Sequence, residues 1–373
     1  MAKVRKRIWG DGKSAWIADY FDQNGKRHIK TFKTQKAAKA WLVGTGYEVK
    51  QGTHTPESDS ITVAEAADIW IKRGKLEGLE RSTLAQYENH VELHIKPSRI
   101  GREKLARLST PMIEAFRDDL LRACKSRATA RKILTSLKGI LGEAQRRGLV
   151  AQNVAQPVKV TINRRDRRRL DIGRDIPSKE EISMMLAKVS DHWRPLVVTA
   201  VFTGMRASEL RGLTWDDVDF TRRVIHVRQR ANWWGEIGAP KSAAGHREIP
   251  MSPMVVNTLK EWKLRSLRGE AGFVFPNPAG RVQSHNNLSY NGIRALQMNC
   301  RIVDDRGEAK YGPHALRHFF ASWAIEQGFS PKKLQALMGH SSITLTYDRY
   351  GHLFPSLDDD HAKFAAGEIS LLG

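Results

Sequence analysis

The hydrophobic pattern changes period along the chain. Residues 15–21 (Ala-Trp-Ile-Ala-Asp-Tyr-Phe) and 28–32 (His-Ile-Lys-Thr-Phe) are short runs rich in aromatic and β-branched side chains, and Asn24-Gly25 lies between them. That pattern predicts two strands joined by a tight turn. Thr34 to Val49 reads as a helix, so residues 1–55 form a small β-rich module. Gln51 to Ser60 is polar, holds a Pro and a Gly, and reads as a linker. Helical signals then dominate. Thr62-Val-Ala-Glu65 is a capping box, Ser82 is placed to cap a second helix through Ile95, and Thr110-Pro111 offers a cap followed by Pro. A fourth helix is predicted from about Ser126 to Arg147, stopped by Gly148. Together these make an all-α domain over residues 62–157. Ser178-Lys-Glu-Glu181 is a second capping box. It opens a mainly helical α/β region over residues 175–373, with strands near Val224–Val227 and Glu248–Pro250. No repeat and no run of 18 apolar residues is present, which argues against a solenoid and a membrane span.

Charge changes the picture. Lys plus Arg number 62 against 40 Asp plus Glu, a net charge of +22, which is the footprint of a polyanion binder. The basic residues do not alternate with a broad apolar stripe, so nucleic acid is the expected partner rather than a membrane surface. Residues 1–55 alone carry twelve basic side chains and four acids, a net +8, as suits a DNA-reading module. Arg127, Arg131, Lys132, Lys138, Arg146 and Arg147 make the fourth helix basic. Arg164, Arg165, Arg167, Arg168 and Arg169 sit in a linker that could cross a DNA backbone and close a clamp around the duplex. Cys124 and Cys300 stand far apart, outside any metal-ligand spacing, which argues against a disulfide scaffold or structural zinc. The N-terminus is basic without an apolar signal core, so the expected place of work is the cytoplasm or nucleoid.

The candidate chemistry is concentrated between His314 and Tyr350. The motifs are His314-Ala-Leu-Arg317-His318, Gly339-His340-Ser-Ser and Tyr347-Asp-Arg-Tyr350-Gly-His352. Upstream stand Thr203-Gly-Met-Arg206-Ala-Ser-Glu209 and Lys241-Ser-Ala-Ala-Gly-His-Arg247. Cleaving a phosphodiester without water needs a nucleophile, stabilisation of two nonbridging oxygens, and a proton for the departing oxygen. Arg206 and Arg317 can supply fork-shaped donors to the oxygens. Glu209, three residues beyond Arg206, is close enough to orient that fork. Arg317 shares a helical face with His314. Taken singly, each arginine reads as a surface or ion-pair residue and Lys241 as a solvated turn lysine; the set is what carries meaning. No Asp/Glu cluster at metal-ligand spacing demands magnesium.

These motifs resemble those of the tyrosine recombinases, or phage integrases, over nearly the whole chain. The resemblance implies a β-rich arm-binding module (1–55), an all-α SAM-like core-binding domain (62–157) and a mixed, mainly helical catalytic domain (175–373). It implies that Arg206 and Arg317 hold the phosphate and that Lys241, His314 and His340 serve proton transfer and hydrogen bonding. Tyr350 would be the nucleophile that forms a 3′-phosphotyrosyl bond, in preference to Tyr347, while His318 would pack or support. It further implies no cofactor, double-stranded DNA with core and arm attachment sites as substrate, and a homotetramer on DNA. A host DNA-bending protein and a recombination directionality factor are further implied partners, and the tail around Phe354-Pro355 and Phe364 is apolar enough to pack on a neighbouring protomer, with packing in cis the alternative. A type IB topoisomerase and a DNA-binding regulator without catalysis are the competing readings.

Overall fold

The computed structural model describes residues 2–10, 12–23, 25–52, 54, 56–124, 126–161, 169–266, 269, 271–354 and 361–372. Contacts divide the chain into two compact units, Met1–Arg167 and Arg168–Gly373.

In the first unit, β1 (Lys3–Ile8), β2 (Ser14–Phe21) and β3 (Arg27–Phe32) form an antiparallel sheet in that order. The last two strands match the alternation in the sequence; Asn24 of the predicted turn lies outside the described residues. β1 was not expected. Its Lys-Val-Arg-Lys-Arg-Ile run offers no apolar face, and only Val4 is half-buried. Pairing with β2 recruits it, and Asp19 helps by receiving Arg27 from β3 at 2.8 Å and Arg5 from β1 at 3.5 Å.

Thr34 caps α1 (Gln35–Lys50), whose Trp41 packs edge-on against Tyr20. The segment read as a linker is pinned where it is described. His54 is buried between the Tyr20 hydroxyl (2.7 Å) and the Glu48 carboxylate (2.9 Å), and Glu57 receives Lys30 at 2.9 Å and Arg107.

The helical part follows as α2 (Val63–Leu76), α3 (Arg81–His90), α4 (Arg99–Arg102), α5 (Thr110–Ala123) and α6 (Arg127–Arg146). The Thr62/Glu65 capping box forms as read. Ser82 does not cap: α3 starts one residue earlier, and the Ser82 hydroxyl donates to Glu80. Thr110 does not cap either, since its hydroxyl donates to the Val154 carbonyl. α6 is capped by Ser126 and stops before Gly148, which takes φ +70°. Its apolar face, with Ile133, Leu137 and Ile140, fills the core of the bundle. On the opposite side Arg127 and Arg131 are exposed, whereas Arg146 and Arg147 converge with Arg73 on the buried Glu143 carboxylate.

The second unit runs α7 (Lys179–Lys188), α8 (Arg194–Thr203), α9 (Ala207–Gly212), then β4 (Val218–Asp219), β5 (Val224–Val227), β6 (Arg230–Ala231), β7 (Ile237–Gly238) and β8 (Arg247–Pro250). β4, β5 and β8 form one antiparallel sheet, and β6 with β7 a separate hairpin. Helices α10 (Pro253–Arg265), α11 (His285–Asn287), α12 (Ala295–Cys300), α13 (His314–Glu326), α14 (Pro331–Met338), α15 (Ile343–Tyr350) and α16 (His361–Leu372) complete it. α8 carries buried apolar side chains on all sides and is the central post of the core, next to α13. Among the described residues no helix is long and apolar enough to cross a membrane.

Candidate active site

Two helices end at left-handed glycines, and both ends face the same cluster. α8 closes on Gly204 (φ +62°) and α14 on Gly339 (φ +60°). Glycine is required at both. A Cβ on Gly204 would overlap the Phe320 ring, and one on Gly339 would stand 2.9 Å from the Ala244 carbonyl oxygen. The freed carbonyls at these ends accept arginines. Gly204 O takes Arg317 at 2.7 Å, Gly339 O takes Arg206 at 3.1 Å, Met338 O takes the other Arg317 amine, and Leu337 O takes Arg247 at 2.7 Å. The orphan acceptors and negative pole of α14 therefore hold three guanidinium groups side by side.

Glu209 locks two of them. It is buried, and its carboxylate accepts Arg206 (2.7 Å) and a two-pronged contact from Arg247 (3.1 and 2.8 Å). It also accepts the Arg206 backbone N–H at 2.8 Å, closing the N-terminus of α9. Burial opposes its ionisation, but the Arg247 hydrogen bond and the charges of Arg247, Arg206 and Arg317 prevail and hold it at about 2. Three guanidinium groups against one carboxylate leave the pocket positive. Arg317 is 2% exposed, while the Arg206 side chain is 35% exposed and can reach an incoming anion.

α15 gives its two tyrosines, one turn apart, different surroundings. Tyr347 is 52% exposed and leans on Phe354, whereas Tyr350 is 1% exposed. The Tyr350 hydroxyl lies 2.7 Å from His318 Nδ1, and its ring is nearly parallel to that of His340 at 6.4 Å. Burial pushes the hydroxyl up to about 12, against the pull of Arg317, Arg349 and Arg206. His340 Nδ1 is fixed 2.9 Å from the Thr346 hydroxyl; burial and then Arg317, Arg206, Arg349 and Arg247 hold the ring down to about 4. His314 keeps an exposed edge but packs edge-on against His318 at 4.7 Å. Desolvation by that packing, followed by the charges of His318 and Arg317, holds it well below the ordinary imidazole value.

Of the residues singled out in the sequence, Arg206, Glu209, His314, Arg317, His340 and Tyr350 gather in this pocket. Lys241 stands apart. It is exposed in the loop between β7 and β8 and makes no hydrogen bond or ion pair among the described residues, although the far end of its loop touches the pocket where the Gly245 carbonyl accepts Arg247. Arg169 is exposed, while Arg164, Arg165, Arg167 and Arg168 lie outside the described residues, as does Pro355. No group of three or more His, Cys, Asp or Glu suited to a metal occurs among the described residues.

Residues 178–356 match the phage integrase family. Over 361 residues the chain is 25% identical to a XerC-like tyrosine recombinase of Caldanaerobacter subterraneus subsp. tengcongensis, covering 90% of each. The fold is that of the Tn1549 transposon integrase, solved with transposon right end DNA (TM-score 0.66, 22% identity, 83% of this chain and 100% of that one). It is also that of lambda integrase, solved as a tetramer bound to a Holliday junction (TM-score 0.59, 19% identity, 91% and 96%). The chain is a tyrosine recombinase.

Two residues of the recombinase pocket were not given their place by the sequence. Arg247 was noted only as following Lys241, yet it fixes Glu209 and is itself anchored on α14. Only the fold brings it across 38 positions, so no local spacing could have found it. His318 was read as a residue that packs or supports, with no partner named, and it touches the tyrosine hydroxyl itself. Its signal was present: it lies four residues after His314, on the same helical face and beside Arg317.

Proposed function

We propose that this recombinase cleaves DNA by attack of the Tyr350 hydroxyl on a scissile phosphate, forms a 3′-phosphotyrosyl bond, and religates to a new 5′ end, so integrating or excising a phage or other mobile element. The observation that supports this reading is a buried tyrosine hydroxyl set among two carbonyl-anchored arginines and the rings of His318, His340 and His314. Arg206 and Arg317 donate to the nonbridging oxygens, with Glu209 and Arg247 holding the first in aim. His340 and His314 donate further hydrogen bonds, and Lys241, docked once DNA is bound, protonates the departing 5′ oxygen. Because the phosphotyrosyl bond stores the energy of the broken one, neither nucleotide nor metal enters the scheme.

In this reading residues 1–55 grip distal arm sites and residues 62–157 grip the core site. Exposed Arg127, Arg131 and Arg169 lie along phosphates, and Arg164, Arg165, Arg167 and Arg168 share that role. Residues 175–373 cut and rejoin. Four protomers assemble on two duplexes, an arrangement favoured by the apolar side chains that α16 exposes, Phe364, Ile369, Leu371 and Leu372. A host DNA-bending protein and a recombination directionality factor would set the direction of exchange.

The decisive experiment is covalent trapping on a nicked attachment site, with EDTA present and no nucleotide. Wild type and Tyr347→Phe should form the adduct, and Tyr350→Phe should bind the site but form none. The reverse pattern between the two tyrosines, or an absolute need for magnesium, would overturn the assignment.

A further inference from the structure

We propose that His318 is the base that takes the Tyr350 proton during cleavage and returns it during religation. This rests on Tyr350 being the nucleophile. Among the described residues His318 Nδ1 is the one hydrogen-bond partner of that hydroxyl, at 2.7 Å, and both side chains are buried. The other groups in the pocket are less suited to accept. The arginines remain protonated and have no acceptor atom. His340 has its Nδ1 on Thr346 and lays its ring parallel to the tyrosine, and His314 presents an exposed edge to the outside.

Acceptance at Nδ1 requires a neutral imidazole with its proton on Nε2. The surroundings enforce neutrality: burial first, then Arg349 from α15 and Arg317 from the same helix, hold His318 down to about 4. Asp175, ahead of α7, pulls the other way, while Tyr350 and the His314 ring face it directly. An entering phosphate cancels part of the positive field and favours the imidazolium. In the forward step the Oη–H proton moves to Nδ1, the Oη–P bond forms, the P–O5′ bond breaks, and the 5′ oxygen is protonated by Lys241. Religation runs the same transfers backwards, so His318 protonates the departing tyrosine oxygen.

The test uses the full-length protein on the nicked attachment site, with site binding measured by mobility shift to show that each variant is folded. Asn at position 318 places an amide oxygen near the position of Nδ1; it can hold the hydroxyl but cannot carry its proton. His318→Asn should bind DNA as wild type does and lose on the order of 10²-fold in cleavage rate. That rate should climb with pH through the range from 6 to 8, where wild type is flat. In His318→Ala, added imidazole should restore part of the cleavage by filling the vacated site. Wild-type cleavage by His318→Asn would overturn the proposal, and so would a DNA-binding His318→Ala protein that imidazole fails to rescue. A Tyr350→Phe protein that still forms adduct would instead sink the nucleophile assignment.

Discussion

At the scale of single residues, the proposed mechanism separates groups that would meet the phosphate from groups that hold them. Arg317 spends donors on Gly204 and Met338, and Arg206 spends donors on Glu209 and Gly339, so the donors left over are aimed before any DNA arrives. Preorganised donors of this kind are worth about 10²–10³-fold each in rate when removed. Arg206→Ala should therefore lower the rate of adduct formation by roughly two orders of magnitude while mobility shifts show much smaller losses in affinity. A defect confined to affinity would make Arg206 a positioning contact only. The identities of these residues were legible because arginine, histidine and tyrosine at such spacings carry their chemistry with them. The cradle was not, since a backbone carbonyl has no signature in the sequence.

At the scale of elements, the capping boxes at Thr62 and Ser178 were readable because their partners lie three residues away. β1 was not, because its basic run becomes a strand only through pairing with β2. The box at the start of α9 has a second use. Glu209 there ties the α9 terminus to Arg206 and Arg247, and its folded value of about 2 lies below the ordinary 4.5. A carboxylate depressed in this way stabilises the fold fully above its unfolded value, and that stabilisation is lost as pH falls toward the folded one. Urea unfolding of wild type and Glu209→Gln should accordingly differ most above about pH 5 and converge as pH drops toward 2. A gap that widens on acidification would show that Glu209 is not held as the anion.

At the scale of the whole molecule, the charge read from composition proves unevenly available. Arg146, Arg147 and Arg73 are spent on Glu143, while Arg127 and Arg131 on the same helix are exposed and pair with no carboxylate among the described residues. The sheet module is likewise less separable than its composition suggested, because Glu57 joins Lys30 of the sheet to Arg107 of the helical part. Deleting residues 1–55 should still leave protection of the crossover site in footprinting and still allow cleavage there, but remove protection of distal arm sites and with it integrative recombination. Unchanged distal protection would assign the module a general electrostatic role. Site cleavage should also weaken steeply with added salt in both proteins, as phosphate contacts release counterions.

The shared anchorage on α14 has a thermodynamic consequence. Arg206, Arg247 and Arg317 all lean on the carbonyls of residues 337–339, and two of them also share one carboxylate. Groups with a common support do not contribute independently. Once one guanidinium is gone, Glu209 and the helix end relax around those that remain, and the second removal costs less than it would alone. A double-mutant cycle on Arg206→Ala and Arg247→Ala should show a combined loss in cleavage rate well short of the product of the single losses, whereas Arg206→Ala combined with Arg131→Ala, which belongs to the other unit and shares none of these partners, should multiply cleanly.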